Sequence, residues 1–100
     1  NYGVYNYSSS SPTMSNVTAS ATGGVVINVG VVNESSSTPT IRNSSITGTT
    51  NSIYNDTSAA FVAYTMLGGG AVVGGDFTCV DVINDSFALL NELCVEPVGP

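Results

Sequence analysis

The groups able to do chemistry in this 100-residue chain are few and of limited kinds. There are seven carboxylates, and five of them, Asp76, Asp81, Asp85, Glu92 and Glu96, fall in the last quarter. A carboxylate pair can carry out glycosidase or aspartic-protease chemistry when its surroundings push the two pKa values apart. No signature of either class surrounds these residues, so an enzyme is not expected. Asp76, Asp81 and Asp85 lack the DxDxDG spacing of a calcium loop. Histidine, the usual carrier of protons near neutral pH, is missing. Cys79 and Cys94 alone cannot complete a four-ligand zinc site. The run Gly68 to Gly75 has neither the Gly-Lys-Ser/Thr ending of a phosphate loop nor the glycine spacing of a dinucleotide loop. It reads as a turn or a place of close backbone packing. No catalytic residue, metal or cofactor is therefore expected.

The balance of charge excludes further classes. Lysine and arginine together number 1 against 7 acidic residues, for a net charge of -6. Arg42 is the single basic side chain, too little to displace counterions from nucleic acid or to hold an anionic bilayer. Only 8% of residues are charged, while Ser, Thr and Asn make up about a third, so the surface is polar but mostly uncharged. The hydrophobic fraction of 42% still supplies a core and argues against disorder. Ser58 to Gly75 is uncharged over its length, but its glycines and lack of basic flanks favour buried strands over a membrane span. Tyr2, Tyr5, Tyr7, Tyr54 and Tyr64 carry rings able to stack on sugars, although core and interface packing is their commoner use.

Six Asn-x-Ser/Thr triplets begin at Asn6, Asn16, Asn33, Asn43, Asn55 and Asn84. Chance placement would give about 2.5 at this Asn, Ser and Thr content under the acceptor rule. The excess has two readings: Asn, Ser and Thr sharing the same turns, or an N-glycosylated secreted protein with covalent glycans at all six. The second is favoured, since five of the six lie in or beside polar stretches where a glycan reaches water. An extracellular site also favours a Cys79–Cys94 disulfide over two buried thiols. On the chain-entropy account such a bond is worth about 3 kcal/mol.

The elements that must position these groups are short strands. Residues 1–7 (NYGVYNY) read as a strand, followed by a break at Ser8 to Pro12. Residues 1–11 are thus expected to be an extended N-terminal strand and linker, with residues 12–100 forming one domain. The chain starts without Met or a basic leader, as a processed or partial chain would. Val25 to Val32 is the strongest strand signal, and Thr40 to Thr47, Thr49 to Asp56, Ala59 to Leu67 and Asp76 to Ile83 follow. Asp85 to Cys94 has helical spacing, with Asp85 as N-cap and Phe87, Leu90 and Leu93 or Cys94 on one face. Val95 to Pro100 reads as extended. The expected fold is all-β: a small β-sandwich of six or seven strands with an extended N-terminal strand and one short C-terminal helix. No repeat is evident at a fixed period of 20–50 residues.

An extended, separable strand suits donor-strand exchange, in which one copy completes the sheet of the next. Tyr2, Val4, Tyr5 and Tyr7 would form the donor, and Val25 to Val32 the receiving groove. Such head-to-tail contacts build an open fibre of copies of one chain. The Val, Ser, Thr and Asn richness, the near absence of Lys, the six triplets and NYGVYNY before SSSSP resemble archaeal secreted fibres built by donor-strand complementation, such as thread filaments. That resemblance implies an extracellular, glycosylated, cofactor-free homopolymer serving adhesion or surface coating. Two other readings stand beside it. One is a monomeric glycosylated binding or adhesin module with a Tyr-bearing ligand surface and residues 1–12 as ordinary structure. The other is a virion coat protein.

Overall fold

The computed structural model describes residues 1–96; the end of the tail and of the 12–100 domain, residues 97–100, lie outside the described residues. Eleven strands follow in chain order. They are β1 (Tyr2–Asn6), β2 (Thr13–Ser15), β3 (Thr18–Ala21), β4 (Val29–Glu34), β5 (Thr40–Arg42), β6 (Ser45–Gly48), β7 (Asn51–Asp56), β8 (Ala60–Ala63), β9 (Met66–Gly69), β10 (Phe77–Val80) and β11 (Ile83–Asn84). Each strand except β7, β10 and β11 pairs in parallel with the strand one turn further along the chain. The result is three walls, β1-β4-β7, β2-β5-β8-β10 and β3-β6-β9-β11. The chain is therefore wound as a three-walled solenoid.

The all-β expectation holds, but the arrangement is not the expected sandwich. Sandwich sheets are antiparallel, and here every pair of named strands is parallel. The solenoid also corrects the reading of the repeat. Wall partners are 27 residues apart in the first turn, 21 or 22 in the second and 17 in the third. The repeating unit is real, but its period shrinks along the chain.

Corners are made where the backbone enters the left-handed region. Asn16, Asn43, Tyr64 and Asp81, with φ of 56°, 48°, 49° and 51°, stack at one corner. This corner splits Thr40 to Thr47 into β5 and β6, and Ala59 to Leu67 into β8 and β9. Asn and Asp enter that conformation more readily than other residues that carry a side chain. Ser8, Ser9, Ser35, Ser36 and Thr57 form a second left-handed corner. The turns differ most at the third corner, where 22–28 joins β3 to β4 but only Thr49 and Thr50 join β6 to β7. Val25 and Val26, expected in the strongest strand, lie in that longer loop at 101% and 83% exposure.

Inside the walls, equivalent residues stack in columns: Met14, Ile41, Val62 and Cys79 on the second wall, and Ala19, Ile46 and Leu67 on the third. All are buried, as are Val31 and Ile53 of the first wall. A polar column runs beside them. Asn6 Nδ2 donates to Asn33 Oδ1 at 2.8 Å, Asn33 Nδ2 to Asn55 Oδ1 at 2.7 Å, and Asn55 Nδ2 to the Gly75 carbonyl at 3.2 Å. A buried amide must be bonded, and a stack of in-register amides satisfies each from its neighbour.

The expected C-terminal helix is absent. Residues 85–96 instead fold as irregular turns against the last coil, with Cys79 N–H donating to the Glu92 carbonyl and Leu90 N–H to the Val82 carbonyl. Asn84 Oδ1 takes the N–H groups of Ser86 and Ala88, and Asn91 Oδ1 those of Leu93 and Val95. Side chains that bond nearby N–H groups compete with helix formation. Phe87 and Cys94 are also left-handed, at φ of 62° and 61°, which no right-handed helix permits. The helical spacing was misleading: Leu90 and Cys94 pack inward while Phe87 and Leu93 are exposed. The Cys79–Cys94 disulfide forms, with Cα atoms 5.4 Å apart, and fastens this segment to β10.

Candidate functional site

The first wall carries an exposed aromatic face. Its three strands are in register, so Tyr5 stands beside Val32 and Val32 beside Tyr54. Tyr2, Tyr5, Tyr7 and Tyr54 are all exposed. Along β1 the rings form a chain: Tyr2 to Tyr5 at 5.7 Å between centroids, and Tyr5 to Tyr7 at 5.8 Å, tilted by 54° and 49°. Such tilted spacing is favourable for aromatic pairs. Tyr5 and Tyr54 lie two strands apart, about 9.6 Å at the ordinary strand spacing. On this face a shallow cavity of about 200 Å³ is lined by Tyr2, Ile27, Val29, Val32, Glu34 and Tyr54.

Glu34 and the exposed Asp56, which pairs with it in register, are acidic groups of this face. Glu34 ends β4, and its Oε2 accepts the Tyr5 hydroxyl at 2.8 Å. That bond, with lesser contributions from burial and from the nearby negative charge, raises the Tyr5 pKa above the ordinary tyrosine value. Tyr5 therefore stays neutral, and its hydroxyl remains a donor, at any physiological pH. Tyr64 is not part of this face; it occupies the left-handed corner with Asn16 and Asn43.

The N-terminal residues are built into the body. Tyr2 pairs with Val29, Val4 with Val31 and Tyr5 with Val32 of the same chain. The stretch read as a linker is the corner that carries the first coil onto its second wall: Ser9 N–H donates to the Ser35 carbonyl, Thr38 N–H to that of Ser10, and Thr40 N–H to that of Pro12. Val4 is half-buried against the core, while Tyr2, Tyr5 and Tyr7 face out.

The acceptor triplets separate into two groups. Asn6, Asn33 and Asn55 are the buried column, with Asn33 at 0% exposure and all three Nδ2 atoms engaged as donors. A glycan is attached at that same nitrogen, and in the folded chain all three are engaged in the column. Their Ser or Thr partners, Ser8, Ser35 and Thr57, are left-handed corner residues. The fold thus generates the triplets: a column Asn, then two residues on, a corner hydroxyl residue. Asn16 and Asn43 are exposed at the stacked corner, and Asn84 is half-buried at the end of β11.

The remaining candidates are dispersed. The glycine run takes in the end of β9 and the bend after it, and a Cβ on Gly70 would collide with the Thr50 carbonyl, so close packing is its role. Among the described residues no three carboxylate or cysteine side chains gather as metal ligands would. No helix among them is long and apolar enough to cross a membrane. The tyrosine face was hidden from sequence reasoning because Tyr54 lies about fifty positions from Tyr5. The signal available was Val4-Tyr5-Asn6 against Ile53-Tyr54-Asn55, the same triplet pattern two turns apart. No protein family, curated protein or solved structure matches this chain.

Proposed function

We propose that the chain is a secreted, glycosylated and non-enzymatic binding module whose first wall engages an uncharged glycan chain. The observation that carries this reading is the placement of Tyr2, Tyr5, Tyr7 and Tyr54 on one exposed wall around Glu34. Aromatic rings meet the C–H faces of sugar rings, and a carboxylate and phenol hydroxyls bond their hydroxyl groups. With Arg42 the only basic side chain and a net charge of -6, anionic polymers are repelled. Solenoid walls present extended surfaces suited to extended ligands. The disulfide favours an oxidising compartment. Glycans would sit at Asn16, Asn43 and Asn84, away from the tyrosine face.

The chain has no Trp and four of its five tyrosines lie on this wall, so tyrosine emission reports mainly on it, with Tyr64→Phe removing the remaining contribution. Titration with neutral β-linked and α-linked oligosaccharides should quench it saturably, and Tyr5→Ala or Tyr54→Ala should weaken binding at least about tenfold, as for other central aromatic anchors. Equal binding by the Ala variants, or no saturation with any neutral glycan, would refute the reading.

A second reading has one observation in its favour. β1, β2 and β3 each have a sheet neighbour on one side only, so the first coil presents three strand edges at one end. Strand edges recruit further strands. We therefore also keep the extracellular filament subunit for adhesion or surface coating as a proposal. In its donor-strand form, β1 would leave β4 and seat on β4 of a neighbouring copy. Sedimentation separates the two readings: a filament subunit gives an open series of oligomers that residues 1–11 are needed to form, and a binding module gives one small species.

A further inference from the structure

A second cavity, unrelated to the tyrosine face, lies between the glycine-rich stretch and the C-terminal turns. It has a volume of about 280 Å³. Its apolar lining includes Leu67, Val72 and Leu90, and Asp85 and Glu96 bring carboxylates to it. Both acidic residues are exposed, which sets them at the solvent side. Asp85 is oriented by the Gly69 N–H, which donates to its Oδ2 at 3.1 Å. Ser52 belongs to the same lining yet is 1% exposed, which sets it at the inner side. Its Oγ is the one buried side-chain polar atom among the described residues without a hydrogen-bond partner. Buried hydroxyls are rarely left unbonded, because the unmade bond is costly.

These features define a ligand by its two ends. The carboxylates at the solvent end favour positive charge, which none of the described lining residues supplies. The middle needs a short aliphatic stretch, and the inner end needs a group that bonds a hydroxyl. We infer that this cavity binds a small amino alcohol, its ammonium group between Asp85 and Glu96 and its hydroxyl on Ser52. Apolar walls with a few convergent polar groups are the usual make-up of a small-molecule site.

The test uses 4-amino-1-butanol as probe against the intact disulfide-bonded chain, followed by NMR of the Leu67, Val72 and Leu90 methyl groups. Saturable shifts are expected, with binding in the millimolar range that a ligand of this size permits. Three controls isolate each end: n-butylammonium lacks the hydroxyl, 1,4-butanediol lacks the charge, and 4-hydroxybutyrate reverses it. Each should bind at least about tenfold more weakly, a difference of about 1.4 kcal/mol. Asp85→Asn and Glu96→Gln should each erase part of the preference for the amino alcohol over the diol. Ser52→Ala should erase its preference over n-butylammonium while leaving the fold intact. Absence of saturation, equal binding of 4-hydroxybutyrate, or an ordered water on Ser52 that the probe fails to displace would each overturn the assignment.

Discussion

The first two coils and the last one solve the same problem in different ways. In the first two, equivalent positions carry equivalent residues: Gly3 and Gly30, Val4 and Val31, Asn6 and Asn33, Pro12 and Pro39, Asn16 and Asn43. Each coil satisfies its neighbour's backbone and side-chain groups by repetition. The turn leading into the last coil has shortened to 17 residues, and among the described residues that coil's only first-wall element is the single bridge from Val73 to Tyr54. There the asparagine column ends on a backbone carbonyl, and a disulfide and a run of side-chain-bonded turns close the end. Regular stacking holds where the coil length allows it; a covalent tie takes over where it does not.

This contrast can be broken from either side. Asn33→Ala should have the largest effect, since it removes both of that residue's column bonds and leaves two buried groups, on Asn6 and Asn55, without partners. A loss of about 4 kcal/mol is expected from two such groups, read by denaturant unfolding. Hydrogen exchange should show the loss spread over β1, β4 and β7. Removing the disulfide with Cys79→Ala and Cys94→Ala should cost about 3 kcal/mol. Here exchange should accelerate first at Leu90 and Cys79, whose amides bond across the end turns, with the column still protected.

A smaller effect tests the corners. Asn43→Ala keeps a left-handed φ of 48° without the side chain that tolerates it, and should cost about 1 kcal/mol. Asn43→Gly should be neutral or better, and a similar result at Asn16 would show that the corner conformation, not a side-chain contact, sets the residue type. The smallest effect concerns Tyr5. Its pKa is raised by the bond to Glu34, so in a spectrophotometric titration followed at this ring it should ionise above the ordinary tyrosine value, and Glu34→Gln should lower it. Because the folded state holds this proton more tightly than the unfolded chain, the contribution is present below the ordinary tyrosine pKa. It is lost as pH rises past that value through the higher folded one.

The sequence made parts of this plain. The Val and Ile content, the Ser, Thr and Asn turns and the paired cysteines gave the all-β class and the disulfide. The winding was not found, although NYGVYNYSSSSPTMSN and its counterpart NVGVVNESSSTPTIRN lie 27 positions apart. A search at constant period fails because the next turns contract. Periodicity also misassigned Val25 and Val26, whose apolar character matches a buried strand while the chain there bulges into solvent. An asparagine two positions before Ser or Thr reads as a glycan acceptor from its neighbours in the chain. The role of Asn6, Asn33 and Asn55 depends instead on their neighbours in the stack, above and below, which only the register reveals. The tyrosine face and the Ser52 cavity were illegible for the same reason: each gathers residues from separate turns.

The loop at 22–28 has one further consequence. The first turn gains length there while the walls on either side keep their pairing: Thr18 still meets Ser45, and Tyr2 still meets Val29. Wall geometry and chain length are uncoupled at this one corner. A foreign peptide spliced beside Val25 would accordingly ride on the outside of the winding like a flag on a mast, leaving the rungs beneath it in place.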